Sequence, residues 1–245
     1  MSARFENKAV IVTGAGSGIG RAAAAAFARE GAQVVLAGRS DSVATAGRSL
    51  GAAHFIGDLS REDAAQRLIE MCLKQFGRLD VLVNAAGVAR PGAVQDIPLA
   101  EWREVFDNNM TNTFLCCRAG IRAMKRTGEG SIVNVSSLAG RFRSGLGGAH
   151  YAASKAAVIG FTRHAAAELA KHKIRINAVC PGPTQTPMLA ATAKLIGKEL
   201  SAIRQAVPLG YISSPEEQAA PILFLASSES SYMTGAVLDV NGGIF

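Results

Sequence analysis

The sequence predicts a doubly wound α/β fold, a parallel sheet covered by helices on both faces. Short apolar runs with many β-branched residues alternate with segments of helical period along the whole chain. The runs are apolar throughout, as in strands buried on both faces, and right-handed crossovers put the connecting helices on both sides of the sheet. Seven strands are predicted, at residues 9–12, 33–37, 53–56, 81–83, 131–135, 174–179 and 237–240.

Helices are predicted between these strands, at residues 19–30, 61–76, 99–126, 151–171, 187–206 and 215–228. No repeat or linker interrupts the pattern, so residues 1–245 are expected to form a single domain. Two longer connections, residues 140–149 and about 181–210, should lie at the carboxyl ends of strands, where open α/β sheets bind ligands. We expect both connections to form substrate walls, with residues 181–210 acting as a lid.

Composition excludes several classes of function. Apolar residues make up 49% of the chain and charged residues 18%, which indicates a compact globular protein rather than a disordered one. No apolar run approaches the roughly 20 residues that span a bilayer, and the segment MSARFENK is not apolar. We therefore expect a cytoplasmic protein with no membrane partner.

The basic residues and the cysteines exclude two further kinds of site. The formal net charge is +7, but Lys and Arg are scattered, which favours anionic small molecules or an acidic partner over nucleic acid. The cysteines show neither CxxC spacing nor nearby histidines, so buried thiols are expected rather than a metal site or disulfides. They are Cys72, Cys116, Cys117 and Cys180.

A glycine-rich turn, TGAGSGIG at residues 13–20, follows the first predicted strand and opens a helix. Gly14 permits a tight turn, Gly18 lets a pyrophosphate approach the backbone, and Gly20 lets helix and strand pack closely. In this context the motif predicts a dinucleotide site. The candidate cofactor-binding residues of the turn are Gly14, Gly16, Ser17, Gly18, Ile19 and Gly20.

The residues after the second strand favour NADP(H) and leave NAD(H) possible. An acidic residue that would bind the ribose hydroxyls is missing there, and Arg39-Ser40 can instead hold a 2′-phosphate. Alternatively, Arg39 is simply a solvated cation in a surface loop. Ser17 weakens the NADP prediction, because a basic residue at that place would supply a second phosphate contact.

Two further segments are candidates for cofactor contact. Asp58-Leu59 follows the third strand, and Asp58 either accepts from the adenine amino group or caps the next helix. Asn84-Ala85-Ala86-Gly87 follows the fourth strand, where small side chains either admit a ribose or serve packing.

A tyrosine and a lysine form the candidate catalytic centre. Tyr151 and Lys155 are four residues apart, on one face of a predicted helix. A nearby cation favours the phenolate, so Lys155 is expected to lower the pKa of Tyr151 toward a useful acid/base range. Lys155 can also hold the nicotinamide ribose hydroxyls.

Two polar residues elsewhere complete the candidate centre. Ser137, just beyond the fifth strand, can hold the substrate oxygen or be an ordinary turn residue. Asn109, in the helix after the fourth strand, can bind water at a kink and extend a proton path, or be a surface polar group.

These motifs together resemble the single-domain short-chain dehydrogenase/reductase family over essentially the whole chain. The matching set is TGxxxGIG, NAAG, Asn109, VSS, YAASK, Pro181-Gly182 and the terminal Asn241-Gly242-Gly243. The resemblance implies a catalytic tetrad of Asn109, Ser137, Tyr151 and Lys155. It also implies a Rossmann-like three-layer sandwich with a seven-stranded sheet, a homotetramer, and nicotinamide-side contacts from Pro181, Gly182, Thr184 and Thr186.

The chain departs from the family pattern at two places. Ala85 stands where members typically have a second Asn, which is expected to loosen one sheet contact without removing a catalytic group. The connection from Ser137 to Tyr151 is one residue longer than expected for close relatives, so Ser136 stays an alternative to Ser137 as the working hydroxyl.

Within the family, the NGG ending and residues 181–188 resemble reductases of 3-oxoacyl thioesters linked to a carrier protein or coenzyme A. Candidate substrate contacts are Ser137, Arg141, Phe142, Tyr151 and Met188. A basic surface can meet an acidic carrier protein or simply be a solvated face; it comprises Arg126, Lys171, His172, Lys173 and Arg175. The alternatives are an NAD-dependent dehydrogenase of a polyol, sugar or steroid alcohol, and a nucleotide-binding scaffold or redox sensor without turnover.

Overall fold

One all-parallel sheet of seven strands organises the protein, in a computed structural model that describes residues 3–143 and 145–244. The strand order is β3-β2-β1-β4-β5-β6-β7, and every neighbouring pair is parallel. All seven predicted strands are confirmed, with ends that differ by at most two residues. The strands are β1 Ala9–Thr13, β2 Gln33–Gly38, β3 Ala53–Ile56, β4 Val81–Asn84, β5 Gly130–Val135, β6 Ile174–Pro181 and β7 Val237–Val240.

Helices cover both faces of the sheet. They are α1 Gly18–Arg29, α2 Ser42–Leu50, α3 Glu62–Phe76, α4 Leu99–Phe106, α5 Asn112–Thr127, α6 Ala149–Leu169, α7 Pro187–Leu195, α8 Leu200–Gln205 and α9 Pro215–Ala226. Successive residues of a strand point to opposite faces, so β1 contributes to two cores. Ile11 packs with Leu68 of α3, while Val10 and Val12 pack with Phe27 of α1. The doubly wound, three-layer fold is confirmed.

The ligand crevice lies where the chain changes direction across the sheet. From β1 the chain first adds strands on one side and then returns to place β4 on the other, which separates the loops that follow β1 and β4. Thr13 holds the two loops together, because its hydroxyl accepts hydrogen bonds from the backbone N–H groups of Ala85 and Ala86. These bonds use backbone groups and not the Ala85 side chain, so the expected loosening of a sheet contact at Ala85 stays a prediction.

Three helical segments differ from the sequence prediction. Helix α2 was not predicted. The helix predicted at residues 99–126 is interrupted by a π-helical turn, Asp107–Thr111. The one predicted at residues 187–206 is divided into α7 and α8.

The predictions about thiols and membrane helices can also be compared with the structure. All four cysteines are buried and free, as expected, and burial raises the pKa of the Cys116 thiol to about 12. In the part of the chain that the structure describes, no helix has the length and apolar character needed to cross a bilayer.

Candidate active site

A cavity of about 560 Å³ lies at the carboxyl edge of the sheet. It extends from the glycine turn, past the loops that follow β2, β3 and β4, to the start of α6 and the segment after β6. This arrangement brings together nearly all the cofactor-binding residues predicted from sequence. Those that line the cavity are Gly14, Gly16, Ser17, Gly18, Ile19, Gly20, Arg39, Ser40, Asp58, Leu59, Ala85, Ala86, Gly87, Tyr151, Lys155, Pro181, Gly182, Thr184 and Thr186.

The glycine turn is built around close backbone approaches. A Cβ atom on Gly14, where φ is +66°, would lie 2.7 Å from the Ala86 backbone. On Gly20 it would lie 2.4 Å from the Gly14 carbonyl oxygen. In α1, which the structure describes in full, the first turn has no acidic residue and Ser17 makes no side-chain cap. The helix N-terminus thus presents N–H groups and a positive dipole end to the cavity, which fits a pyrophosphate.

Three polar side chains lie at the cavity end formed by β2 and α2. Arg39 and Ser40 follow β2, and Ser42 opens α2 with its hydroxyl 2.7 Å from that of Ser40. Sequence reasoning missed Ser42 because it missed α2; its place two residues after Ser40 was the available signal. A guanidinium beside two hydroxyls is a donor set suited to a phosphate.

Asp58 lines the cavity but does not cap α3. Its carboxylate accepts hydrogen bonds from the Ser60 backbone N–H, at 3.1 Å, and from the Ser60 hydroxyl, at 2.7 Å. The N-cap residue of α3 is Arg61. The Ser60 contacts, helped by the nearby Arg39, hold the pKa of Asp58 below its ordinary value despite partial burial. The helix-cap reading of Asp58 is therefore wrong.

Asn84 differs from its three successors in the NAAG segment. Its side-chain nitrogen donates to the Asn134 side-chain oxygen at 2.9 Å and to the Cys117 sulfur at 3.2 Å, inside the core. Asn84 is buried and does not line the cavity. The prediction of Asn84 as a cofactor-binding residue is therefore wrong: its amide links β4 to β5, and Ala85, Ala86 and Gly87 form the cavity wall.

Tyr151 and Lys155 both face the cavity from the first turns of α6. The Lys155 ammonium donates to the Val135 carbonyl oxygen at 2.9 Å, and burial lowers its pKa to about 8. Burial raises the pKa of Tyr151, while a hydrogen bond with the Ser137 side chain acts in the opposite direction. The expected lowering of the Tyr151 pKa by Lys155 is thus wrong for this structure, because the lysine is turned toward the end of β5.

The two serines after β5 have different partners. The Ser136 hydroxyl is buried and donates to the Lys155 carbonyl oxygen at 2.8 Å, which ties β5 to α6. The Ser137 hydroxyl contacts the Tyr151 phenol and accepts from the Ala139 backbone N–H at 3.1 Å. Both serines line the cavity, and of the two it is the Ser137 hydroxyl that contacts the Tyr151 phenol, despite the longer connection between them.

Asn109 lies one layer behind the cavity wall, in the π-helical turn. Its side-chain oxygen accepts from the Val88 N–H at 2.7 Å, and its nitrogen donates to the Val88 carbonyl and to the Ser154 hydroxyl, at 3.0 and 2.9 Å. It is fully buried and lines no part of the cavity itself. A Cβ on Gly87 would meet both the Asn109 oxygen and the Lys155 nitrogen, at 2.9 and 3.3 Å, so these two groups border the same glycine.

The predicted substrate residues divide into two groups. Tyr151, Ser137 and Met188 line the cavity. Arg141 and Phe142 do not: Arg141 forms a 2.8 Å ion pair with Asp239 of β7, and the Phe142 ring is 58% exposed outside the cavity. The prediction that Arg141 and Phe142 contact the substrate is therefore wrong. Sequence spacing could not reveal an ion pair between residues 98 positions apart.

The predicted lid packs against the connection between β5 and α6. Leu189, Ala193, Ile203 and Ile212 form a small core of their own, and Leu146 packs against it. Thr186 caps α7 by accepting from the Leu189 N–H at 3.2 Å. Residues from both predicted substrate walls thus enclose the part of the cavity near Tyr151.

Arg175 is not part of a surface patch. Its guanidinium is half-buried and donates to the carbonyl oxygens of Leu225, at 2.9 Å, and Ser227, at 2.8 Å, at the end of α9. The prediction that Arg175 belongs to the basic surface that can meet a carrier protein is therefore wrong. The other four residues of that group lie outside the cavity.

Comparisons with known proteins are consistent with this geometry. The family adh_short_C2, described as enoyl-(acyl carrier protein) reductase, matches residues 14–244. A short-chain type dehydrogenase/reductase from Mycobacterium marinum superposes with a TM-score of 0.92 at 34% identity, covering 99% of this chain and 97% of that one. The chain belongs to the short-chain dehydrogenase/reductase family. The resemblance stated from sequence motifs is confirmed.

Two relatives indicate the neighbourhood within the short-chain dehydrogenase/reductase family. The 3-oxoacyl-[acyl-carrier-protein] reductase FabG of Thermotoga maritima is 40% identical over 247 residues, 98% of this chain and 99% of the relative. The cis-4-hydroxycyclohexanecarboxylate dehydrogenase of Sinomonas cyclohexanicum is also 40% identical, over 99% of this chain and 98% of the relative. As a member of the family, the protein is an oxidoreductase that acts on CH–OH and ketone groups with a nicotinamide cofactor.

Proposed function

We propose that this protein is a cytoplasmic NADP(H)-dependent reductase of 3-oxoacyl thioesters or related ketones. The observation that carries the proposal is that Ser137, Tyr151 and Lys155 share one cavity with the glycine turn. Similarity to a 3-oxoacyl-[acyl-carrier-protein] reductase supports the substrate class. Residues 1–245 act as one catalytic unit in this proposal, with residues 181–210 as the lid.

In this proposal, Ser137 and Tyr151 both bind the oxygen of the substrate ketone. Ser137 donates a hydrogen bond to the ketone, and the Tyr151 phenol donates a proton to the same oxygen as the alcohol forms. When bound, the nicotinamide cofactor supplies the hydride. A phenol whose pKa is raised by burial stays protonated at neutral pH, which suits a proton donor for reduction.

Lys155 and Asn109 act behind the tyrosine in this proposal. Burial leaves Lys155 with a pKa of about 8, so the amine can exchange protons near neutral pH while its donors hold a ribose hydroxyl. Asn109 orients the helix that carries the tyrosine: it donates to Ser154, whose hydroxyl donates to the Tyr151 carbonyl at 2.8 Å. The Asn109 side-chain oxygen and the Lys155 ammonium border the same glycine, Gly87, which supports this shared role.

Arg39 is the proposed 2′-phosphate ligand, with Ser40 and Ser42 as further donors. The test is Arg39→Asp, which should lower the affinity for NADPH about ten- to a hundredfold, because a charged hydrogen bond contributes on the order of 1.5–3 kcal/mol. Affinity for NADH should fall much less. Equal losses for both cofactors, measured by nicotinamide fluorescence, would contradict the phosphate assignment.

A matrix of cofactors and ketones tests the activity. NADPH and NADH are each combined with a 3-oxoacyl thioester, small ketones, sugars and polyol-derived ketones, and turnover is followed at the nicotinamide absorbance. The fastest turnover is expected for NADPH with the thioester. Faster turnover of NAD⁺ with a polyol, sugar or steroid alcohol would favour the dehydrogenase alternative, and tight cofactor binding without turnover would favour the scaffold.

We also propose a homotetramer. Large apolar side chains are exposed on α4 and α5, where Trp102 stacks on Phe106 and Phe114 packs edge-on against Phe161 of α6. Such a surface is typical of subunit contacts. Light scattering coupled to gel filtration should give four times the 25.4 kDa chain mass, and Trp102→Glu should lower it.

A further inference from the structure

We infer that Arg143 binds an anionic group of the substrate, a phosphate or a carboxylate remote from the reacting carbonyl. This inference rests on the proposed ketone reduction and names the substrate property that the cavity mouth selects. Two arginines lie on the connection between β5 and α6, and the structure separates their roles.

Arg141 is held by Asp239. Its guanidinium lies 2.8 Å from the Asp239 carboxylate, both side chains are largely covered, and Arg141 does not line the cavity. Because Asp239 belongs to β7, the pair fixes the start of this connection to the sheet. A cation neutralised in this way has little to offer a substrate.

Arg143 lines the cavity two residues further on. It is exposed, and the structure gives its guanidinium no ion-pair partner among residues 3–143 and 145–244. The connection that carries Arg143 starts beside Ser137 and leads into α6 with Tyr151, whereas Arg39 follows β2, so we assign Arg143 to the part of the cavity near Tyr151. A cofactor phosphate bound at the glycine turn is therefore not its natural partner.

Apolar side chains also line the cavity. Among them are Leu138, Leu146, Met188 and Leu189, and Leu146 packs against the small core of the lid. The Lys198 ammonium, in the connection between α7 and α8, donates to the Gly145 carbonyl at 3.4 Å and links the lid to the same loop. Apolar side chains with the exposed Arg143 guanidinium on the same wall fit a substrate with an apolar part and an anionic far end.

Planar, forked donors match both carboxylate and phosphate oxygens. The phosphate of a pantetheine arm and the carboxylate of a small oxo acid are the two sources of such an anion. An ion pair with an exposed guanidinium is weaker than a buried one, so the expected contribution is about two- to fivefold in kcat/KM and should decrease as salt screens it.

The test compares charged ketones with neutral analogues in wild type and Arg143→Gln. Acetoacetyl-coenzyme A is paired with the acetoacetyl thioester of N-acetylcysteamine, and 4-oxocyclohexanecarboxylate with its carboxamide, all at saturating NADPH. The readout is the ratio of kcat/KM for the charged compound to that for its neutral analogue. Arg143→Gln should lower this ratio about two- to fivefold for the thioesters if the anion is a phosphate, or for the cyclohexanones if it is a carboxylate.

Arg163→Gln is the matched control, because it removes one exposed positive charge from α6 outside the cavity. Its ratios should equal those of the wild type. Unchanged ratios in Arg143→Gln overturn the inference, as does an equal fall in Arg163→Gln, which would show an effect of net charge alone. Absence of turnover with all four ketones contradicts the proposed function itself, whereas turnover with unchanged ratios contradicts only the role of Arg143.

Discussion

The ammonium of Lys155 donates a 2.9 Å hydrogen bond to the carbonyl oxygen of Val135, at the end of the strand that leads to Ser137. This contact ties the helix that carries Tyr151 to β5, and the Lys155 side chain is buried. Burial of this lysine therefore destabilises the folded protein, and the size of the destabilisation depends on pH.

The first prediction concerns stability of the protein without added cofactor. Burial lowers the pKa of Lys155 from 10.5 to about 8, so between these values the unfolded chain binds more protons than the folded one. The contribution of Lys155 to the free energy of unfolding therefore improves as pH rises from 8 toward 10.5, and is least favourable below pH 8. The Lys155→Met variant has no such pH-dependent contribution to its free energy of unfolding.

Urea denaturation of the wild type and of Lys155→Met, at pH 7 and at pH 10, measures the pH-dependent contribution of Lys155. The stability of Lys155→Met relative to wild type should fall by roughly 2–3 kcal/mol between the two pH values. Lys74→Met, at an exposed position of α3, is the control and should show no such change. The same relative stability of Lys155→Met at both pH values would contradict the account of Lys155.

The second prediction separates the two serines. Ser137→Ala should lower kcat about 10²–10³-fold, because it removes a donor to the substrate oxygen. Ser136→Ala should mainly lower stability, by about 1 kcal/mol, since its hydroxyl binds the Lys155 carbonyl. Steady-state kinetics and urea denaturation of both variants distinguish the roles, and a larger loss of kcat in Ser136→Ala would reverse the assignment.

The third prediction concerns Arg175. Arg175→Gln should lower the free energy of unfolding by about 2–4 kcal/mol, because charge-assisted hydrogen bonds to the last carbonyls of α9 are lost. Arg126→Gln, at an exposed end of α5, should change it by less than about 0.5 kcal/mol. Similar urea midpoints for the two variants would show that Arg175 does not support this helix end.

Strand positions were predictable because buried parallel strands are continuous apolar runs, as in Val34 to Ala37. Helix α2 was not, since its nine residues include Thr45, Gly47 and two serines, and it is stabilised by burying Val43 and its neighbours. A kink at Asn109 was anticipated, but its form as a π-helical turn was not. Its signal was Asn108 beside Asn109, whose amides bond to backbone carbonyls rather than to solvent.

The glycine turn and the serine, tyrosine and lysine were identifiable because each belongs to a motif in sequence order. The partners of Arg141 and Asn84 were not, because each partner lies on another strand, fifty or more residues away. Long-range pairing decides whether a charged or amide side chain faces the cavity. A single sequence contains no local signal for such pairing.

The central claim is that Tyr151 donates the proton to the substrate oxygen, and Tyr151→Phe tests it most directly. The measurement is NADPH oxidation with a 3-oxoacyl thioester, together with NADPH binding by fluorescence. The account predicts that turnover falls by about 10²–10⁴-fold while NADPH still binds. Turnover within about threefold of the wild type, at the same NADPH occupancy, would contradict it.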